Sequence, residues 1–316
     1  MDWSPDEMQV ATRELAGKLL ATGANAWPAL VEAGLLDLET MPQLCTLLVE
    51  VGRAGGRVPV LETLVLGGPL RAAGVVAPGA VLTGGLLEPE SRNPAKAHTY
   101  VRHGRVHGTK ICVPAVDRAT HMVVPAQDGL YGVALADCST ELQVGTNDEP
   151  LGSVVLDGAP AIRLGDRDAL QAYLLTVDVG IAALLLGLAQ EALSLTARYV
   201  SEREQFGKKI GTFQAVSQRA ADAWIETQAM EVTLWQAAWR IEAGLPCARE
   251  VAIARYTAAE GCHRVLATAQ HLHGGMGFDR DYALHRYFLT AKAWEFVGGG
   301  ASAQLERLGA ALGGGR

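Results

Sequence analysis

One stretch restricts the fold of this chain more than any other. Val179 to Gln190 is a run of 12 uncharged residues between Asp178 and Glu191, inside a helical pattern that covers about 170–203. A bilayer span takes about 20 apolar residues, so this run is too short for one. It is expected as a helix covered on all sides by other helices. The pattern downstream supplies the cover: apolar residues return at helical spacing over about 213–243, 249–271 and 283–296. Helices this long, joined by short connections, form an antiparallel bundle.

Upstream the grammar differs. Ser4-Pro5-Asp6-Glu7 reads as a helix start with proline at the first helical position, followed by Met8, Val10, Leu15 and Leu19-Leu20. A second helical run, Leu44, Leu47-Leu48 and Val51, ends at Gly55-Gly56. From Gly79 to about Asp166 short β-type runs take over: Ala80-Val81-Leu82, Thr99-Tyr100-Val101, His121-Met122-Val123-Val124 and Gly132-Val133-Ala134-Leu135. Clusters of Gly, Asp, Asn and Pro punctuate them. With 316 residues the chain holds one large domain or two to three small ones. The boundaries predicted are 1–77 helical, 78–166 β and 167–316 helical bundle. No internal repeat or low-complexity segment interrupts this order.

Charge and cysteine usage exclude several function classes. Lys and Arg number 27 against 34 Asp and Glu, a net charge of −7, without the clustered basic residues that a nucleic-acid binder needs. Five scattered cysteines (Cys45, Cys112, Cys138, Cys247, Cys262) form no CxxC pair. They are expected as thiols in a reducing compartment rather than as disulfides or a zinc site. Met1-Asp2-Trp3-Ser4-Pro5-Asp6-Glu7 is acidic where a secretory signal is basic. A soluble, cytoplasmic protein without a membrane span is expected.

Three segments carry chemistry. In Arg203-Glu204-Gln205-Phe206-Gly207-Lys208-Lys209-Ile210-Gly211-Thr212-Phe213-Gln214, between two long helices, Gly207 and Gly211 allow a close turn. Arg203 can fork onto a pyrophosphate, Phe206 can cover a ring, and Gln214 can hydrogen-bond a heterocycle. The same residues also suit a plain charged loop. In His271-Leu272-His273-Gly274-Gly275-Met276-Gly277-Phe278, three glycines within four residues allow close backbone approach and free N–H groups; a simple helix C-cap is the alternative. His271 and His273 point to different sides of a helix and lack a third ligand, so no metal is expected. Last, His285-Arg286-Tyr287-Phe288 leads through Ala291-Lys292-Ala293-Trp294-Glu295-Phe296-Val297 to Gly298-Gly299-Gly300, an amphipathic helix with a glycine stop.

In this order and at the chain end, the segments resemble the acyl-CoA dehydrogenase family. Arg203-x-Gln205-Phe206-Gly207 with Phe213-Gln214 is similar to its first bundle signature, and His273 to Gly277 through Arg286 to its second. Gly108-Thr109-Lys110, read as a turn, with Ala115 and Ala119 further on, is similar to its central segment. The resemblance implies a mainly α fold: an N-terminal helical domain, a small β-barrel-like middle domain and a C-terminal four-helix bundle. It also implies FAD as cofactor, an acyl-CoA substrate and an electron-transfer flavoprotein as acceptor. The cofactor-binding positions it implies are Arg203, Gln205, Phe206, Gln214, His271, Gly274 and Gly275.

The departures from the family pattern are equally specific. Gly298 stands where the family places its catalytic glutamate, and Gly300 where it places a threonine. The flavin-contact strand reads Cys112-Val113-Pro114, and the preceding loop reads Leu87-Glu88-Pro89-Glu90-Ser91-Arg92-Asn93-Pro94. The losses fall on elements that hold flavin within one subunit; the retained residues match positions that reach a neighbour's flavin. This pattern resembles the short, degenerate subunits of heteromeric α2β2 dehydrogenases acting on steroid side-chain CoA thioesters. It implies a homologous longer subunit as partner. Two other readings compete: a self-sufficient homo-oligomer with Glu260 as base, or a flavin-free acyl-CoA-binding scaffold. Glu260 lies 14 residues before Gly274, with Arg264 at i, i+4 as a plain structural partner.

Overall fold

The computed structural model describes residues 5–313. Its N-terminal helices are α1 (Glu7–Leu20), α2 (Ala26–Glu32), α3 (Met41–Arg53) and α4 (Gly68–Ala72), with a π-helical turn at Leu61–Leu66. The first helix starts later than the sequence suggests. Asp6 is the cap: its side chain accepts from Gln9 N while Gln9 returns a bond to Asp6 N. This reciprocal box satisfies two otherwise free donors, so Pro5 precedes the cap instead of opening the helix. Ser4 lies outside the described residues.

The middle of the chain forms two four-stranded sheets. One has the order β1 (Leu82–Gly84), β4 (His121–Ala126), β5 (Gly129–Ala134), β8 (Ile162–Gly165); the other is β2 (Tyr100–Arg102), β3 (Arg105–Pro114), β7 (Pro150–Pro160), β6 (Ser139–Val144). Only the β1–β4 pair is parallel. Val106, Val113, Met122, Val124, Val133 and Val154 form a small core of their own, and the two sheets are barrel-like without closing. Gly108-Thr109-Lys110 is not a turn. It lies inside β3, paired with Leu156, Val155 and Val154 of β7. The glycine is there because Thr99 packs against it; a Cβ would stand 2.5 Å from Thr99 Oγ1.

The C-terminal part holds α5 (Arg167–Glu202), α6 (Gln214–Glu242), α7 (Ala248–His273), α8 (Leu284–Glu295) and α9 (Gly300–Gly313). A hairpin of β9 (Glu204–Gln205) and β10 (Lys208–Lys209) joins α5 to α6. The apolar run lies at the centre of α5. An 18-residue window there has a mean hydropathy of 2.0 and is 83% buried inside the protein. It packs against α3, α6, α7 and α8. The bundle is thus α5, α6, α7 and a last leg, α8 and α9, broken by Gly298–Gly300.

Two buried charge clusters lock the parts together. Lys110, fully buried on β3, donates to Glu88 Oε1 at 2.7 Å and to Pro125 O at 2.8 Å. Glu88 also accepts from His98 N, Thr99 N and Thr99 Oγ1. This nails the 87–99 loop to the sheet. The second cluster is Asp178 of α5 with Arg255 of α7 (3.6 Å) and Arg307 of α9 (2.6 Å), joined by Gln304 at 3.3 Å.

Glu88 generates a pH prediction. Burial alone pushes its carboxyl up, but the Lys110 ammonium and the converging hydrogen bonds hold it down at about 2, against an ordinary 4.5. A depressed folded value stabilises above the unfolded value and fades as pH falls through the folded one. Chemical denaturation of the natural chain should therefore show stability falling from about pH 4.5 towards about 2, and Glu88→Gln should flatten that slope. Lys110→Met should cost about 3–5 kcal/mol at neutral pH, because it leaves a buried carboxylate unpaired. A neutral effect of Lys110→Met would remove this pair from the fold's essentials.

Candidate functional site

The sequence-predicted cofactor residues gather at one end of the bundle. Tyr199, near the end of α5, stacks on His273 at the end of α7 (centroids 4.4 Å apart), and its hydroxyl donates to His273 O at 3.4 Å. That contact brings the Arg203 hairpin and the Gly274–Gly277 turn side by side. His273 is committed to this packing. Its Nδ1 donates to Ala269 O at 2.8 Å, and its Nε2 accepts from the Tyr282 hydroxyl at 3.1 Å. Burial favours the neutral ring and pushes its pKa down, against the upward pull of the Ala269 bond.

The residues around this contact face outward. Arg203, Gln205, Phe206, Gln214, His271, Gly274 and Gly275 are all exposed, Phe206 to 92%. The neighbouring acid Glu204 is held by Lys209 at 2.8 Å, so the Arg203 guanidinium has no ion pair among the described residues. Phe206 stands edge-on to Phe213, with centroids 6.2 Å apart. Gly274 is indeed the C-cap of α7, as the plain reading has it, with φ +60. Yet a Cβ on Gly274 or Gly275 would meet nothing within 4 Å, so the space over the turn is open to another molecule. Met276 and Phe278 add exposed apolar surface beside it.

Glu260 lies elsewhere. Its side chain is 38% exposed on α7 and sits 3.6 Å from Arg264, which also holds Glu226 at 2.9 Å. It does not line the cavity that ends at the glycine loop.

That cavity, about 480 Å³, lies between the π-turn, the β-sheets and the end of α8. Its walls include Leu66, Leu86, Ile111, Trp294 and Val297, with Cys112 and Pro114 of the altered strand. Gly298 follows directly, buried and with φ +76. A side chain there would have room, since its Cβ would come no closer than 3.8 Å to Asp178 Oδ1. The loop is held although it carries no carboxylate: Arg255 donates to Trp294 O, Glu295 O and Val297 O at 3.0–3.1 Å, and Arg307 to Gly298 O at 3.4 Å.

Two carboxyl groups here escaped the sequence reading. Asp178 is fully enclosed; burial pushes its pKa up against the pull of Arg307 and Arg255. Glu62, on the π-turn, lines the cavity. Burial raises it to about 7, its own backbone N–H and Arg118 pulling down, Glu149 pushing up. The available signal was a single acid in an apolar run, Val60-Leu61-Glu62-Thr63-Leu64-Val65-Leu66, since an acid rarely sits in such a run without a reason.

For FAD, the two halves of the chain differ in fit. The exposed bundle end offers a free guanidinium, two amides, an aromatic ring and an open glycine turn, which suit a pyrophosphate and a heterocycle. The cavity wall at Cys112-Val113-Pro114 offers few side-chain donors.

Comparison with known proteins shows the family. Residues 171–313 match the acyl-CoA dehydrogenase C-terminal domain family. Acyl-CoA dehydrogenase FadE27 of Mycobacterium tuberculosis is 34% identical over 90% of this chain and 87% of its own. The Tcur3481-Tcur3483 steroid ACAD superposes with a TM-score of 0.91 at 34% identity, covering 98% of both chains. The ChsE4-ChsE5 complex of Mycobacterium tuberculosis gives 0.91 at 30% identity over 99% of both. Likeness of this extent, in sequence as well as fold, makes the chain a member of the acyl-CoA dehydrogenases, oxidoreductases whose cofactor is FAD.

Proposed function

We propose that this chain is the partner-dependent subunit of an acyl-CoA dehydrogenase, completing the flavin site of a longer homologous catalytic subunit. The observation that carries this reading is the split between its two surfaces. The residues suited to flavin, Arg203, Gln205, Phe206, Gln214, His271, Gly274 and Gly275, project from the bundle end. The loop at Gly298 beside the cavity is held in place but carries no carboxylate. The substrate is a bulky acyl-CoA of the steroid side-chain class, and the enzyme α,β-desaturates it. The naming of the Tcur3481-Tcur3483 protein as a steroid ACAD and of ChsE4-ChsE5 as a complex supports both substrate class and pairing. The assembly is a heterotetramer, with an electron-transfer flavoprotein as electron acceptor.

FAD, when bound, supplies the two-electron oxidant. The work of this chain is to hold it. Arg203 is placed to take a pyrophosphate as a charge-assisted fork, Phe206 to cover a ring and exclude water, and Gln205 and Gln214 to bond heteroatoms. The Gly274–Gly275 backbone approaches without a side chain in the way. The α-proton of the acyl group leaves to a carboxylate of the partner, because Gly298 offers none.

Purified alone, the chain should retain little flavin; co-expressed with its longer homologue, the complex should be yellow. Each missing polar contact to a charged group costs about 1.5–3 kcal/mol, so several together separate the two preparations by orders of magnitude. Stoichiometric flavin in a homo-oligomer of this chain would sink the reading. Arg203→Ala in the complex should weaken flavin retention by about 10–150-fold. Its melting temperature before flavin loading should hardly move, because an exposed arginine contributes little to stability. A drop in melting temperature with flavin content unchanged would make Arg203 structural.

Glu260→Gln separates this reading from a self-sufficient enzyme. It removes a half-exposed ion pair worth about 0.3–0.5 kcal/mol, so turnover of the complex should stay within a few-fold. Removing a true general base costs about 10²–10⁴-fold in rate. A collapse of that size with flavin and assembly intact would make Glu260 the base and this chain catalytic.

A further inference from the structure

One buried side chain joins the segments that meet at the bundle end. His273 is the last residue of α7, only 3% exposed, directly before the Gly274–Gly275 turn. Tyr199 of α5 stacks on its ring at 4.4 Å and 25°, and Tyr282, ahead of α8, lies 5.2 Å away at 50°. Arg203 N donates to Tyr199 O at 2.8 Å, so the hairpin leaves α5 from the residue that holds the imidazole. Both ring nitrogens are used: Nδ1 donates to Ala269 O at 2.8 Å, and Nε2 accepts from the Tyr282 hydroxyl at 3.1 Å. Tyr282 is itself fixed, its N donating to Asp279 O at 3.3 Å and its O accepting from His285 Nδ1 at 2.7 Å.

This arrangement suits an uncharged ring. An imidazolium carries a proton on both nitrogens, so Nε2 can no longer accept from Tyr282. The added charge would also be buried without a counter-ion, since no carboxylate among the described residues lies within 4.0 Å of either nitrogen. The charged and titratable groups around the ring are Arg198, Tyr199 and Glu202 on α5, with Tyr282 and His285 at the approach to α8. Arg198 and Glu202 act on Tyr282 with opposite sign, so they supply no net field that favours a cation. We propose that His273 is a positioning residue of the shared flavin site: its neutral imidazole locks the Gly274–Gly275 turn against the Arg203 hairpin, and its protonation releases them. The inference rests on the proposed function, because the surface it positions is the one read as holding flavin. The sign follows from linkage. Burial holds the locked ring below the ordinary 6.5, while a released ring returns to it, so acid favours release from about pH 6.5 downward.

The test has two arms. In the first, the full chain without flavin, labelled at histidine and glycine, is titrated by NMR from about pH 8 to about pH 5. The His273 ring should titrate below 6.5, and the Gly274 and Gly275 amides should shift with the same midpoint. In Tyr282→Phe the neutral ring loses its donor, so both midpoints should move up together. In the second arm the complex with the longer subunit is dialysed over the same range and its flavin read by absorbance. Retention should fall on the acid side, tenfold for about each unit by which the lock lowers the pKa. His273→Phe keeps a ring for Tyr199 but takes no proton. It should hold flavin about three- to tenfold less tightly at the alkaline end and lose the acid limb, which His285→Gln should keep. Glycine amides that move independently of His273, a ring that does not titrate over the range, or flavin retention that is flat in the natural complex would overturn the lock. So would an acid limb that survives His273→Phe. A complex without flavin even at the alkaline end would count against the proposed function, and the first arm would still decide the lock.

Discussion

The backbones of α3 and α5 touch. A Cβ on Gly187 would lie 2.0 Å from Val49 O, and one on Gly52 would lie 2.3 Å from Leu184 O. No other residue type fits at either crossing point. This contact brings the N-terminal helices directly onto the apolar centre of α5 and buries the run that the bundle alone would leave partly open. Other contacts follow from it. With α3 seated, its end offers Arg53 O to the Tyr287 hydroxyl at 3.0 Å, and the turn just after it offers Gly55 O to Thr290 at 3.3 Å. Those bonds fix α8, and α8 carries the chain into the glycine loop. Overpacking at such a point displaces whole elements, since interiors transmit strain instead of absorbing it.

The glycine loop shows scaffolding that does not depend on a catalytic side chain. Arg255 is fully buried, with its Nε and Nη1 lacking hydrogen bonds, yet its Nη2 ties three carbonyls of the loop while Asp178 balances its charge. A buried pair of this kind is weak evidence for stability. Removing either partner leaves an uncompensated charge, though, so the pair specifies one loop conformation strongly. The geometry around Gly298 is thus held without a catalytic side chain in the loop.

The long helices were legible because their period extends over many residues and their ends carry strong signals. The 170–203 pattern and the observed Arg167–Glu202 differ by only a few residues. The β-region was less legible. β6, Ser139–Val144, is exposed along its whole length, so its Leu142–Val144 alternation marks no buried face. β3 contains Gly108 and a buried lysine, both of which argue against a strand until Thr99 and Glu88 are placed beside them. At the candidate site, sequence spacing singled out the segments but could not bring them together; the Tyr199–His273 stack does that through residues 74 positions apart. Asp178 and Glu62 were hidden for the opposite reason. Each is one acid beside apolar residues, Asp178 at the edge of a run and Glu62 inside one, and only the packing shows that one is paired and the other is not.

Phe206 connects local strain to assembly. It has φ +54, rare for a residue with a bulky side chain, and is 92% exposed. Left-handed backbone at a non-glycine residue costs about 1–3 kcal/mol, and nothing within this chain recovers that from burial of the ring. Met276 and Phe278, on the turn that the Tyr199–His273 stack brings close, are exposed as well. Apolar groups gathered at one bundle end, beside a free guanidinium and an open glycine turn, mark an interaction surface. The backbone of the hairpin is held in this posture by Ile210 N donating to Arg203 O and by the Lys209 contacts to Glu202 O and Glu204. The ring is therefore positioned before any partner arrives. In the proposed complex, binding then need not order the loop, and the exposed aromatic area is available to stabilise the bound state.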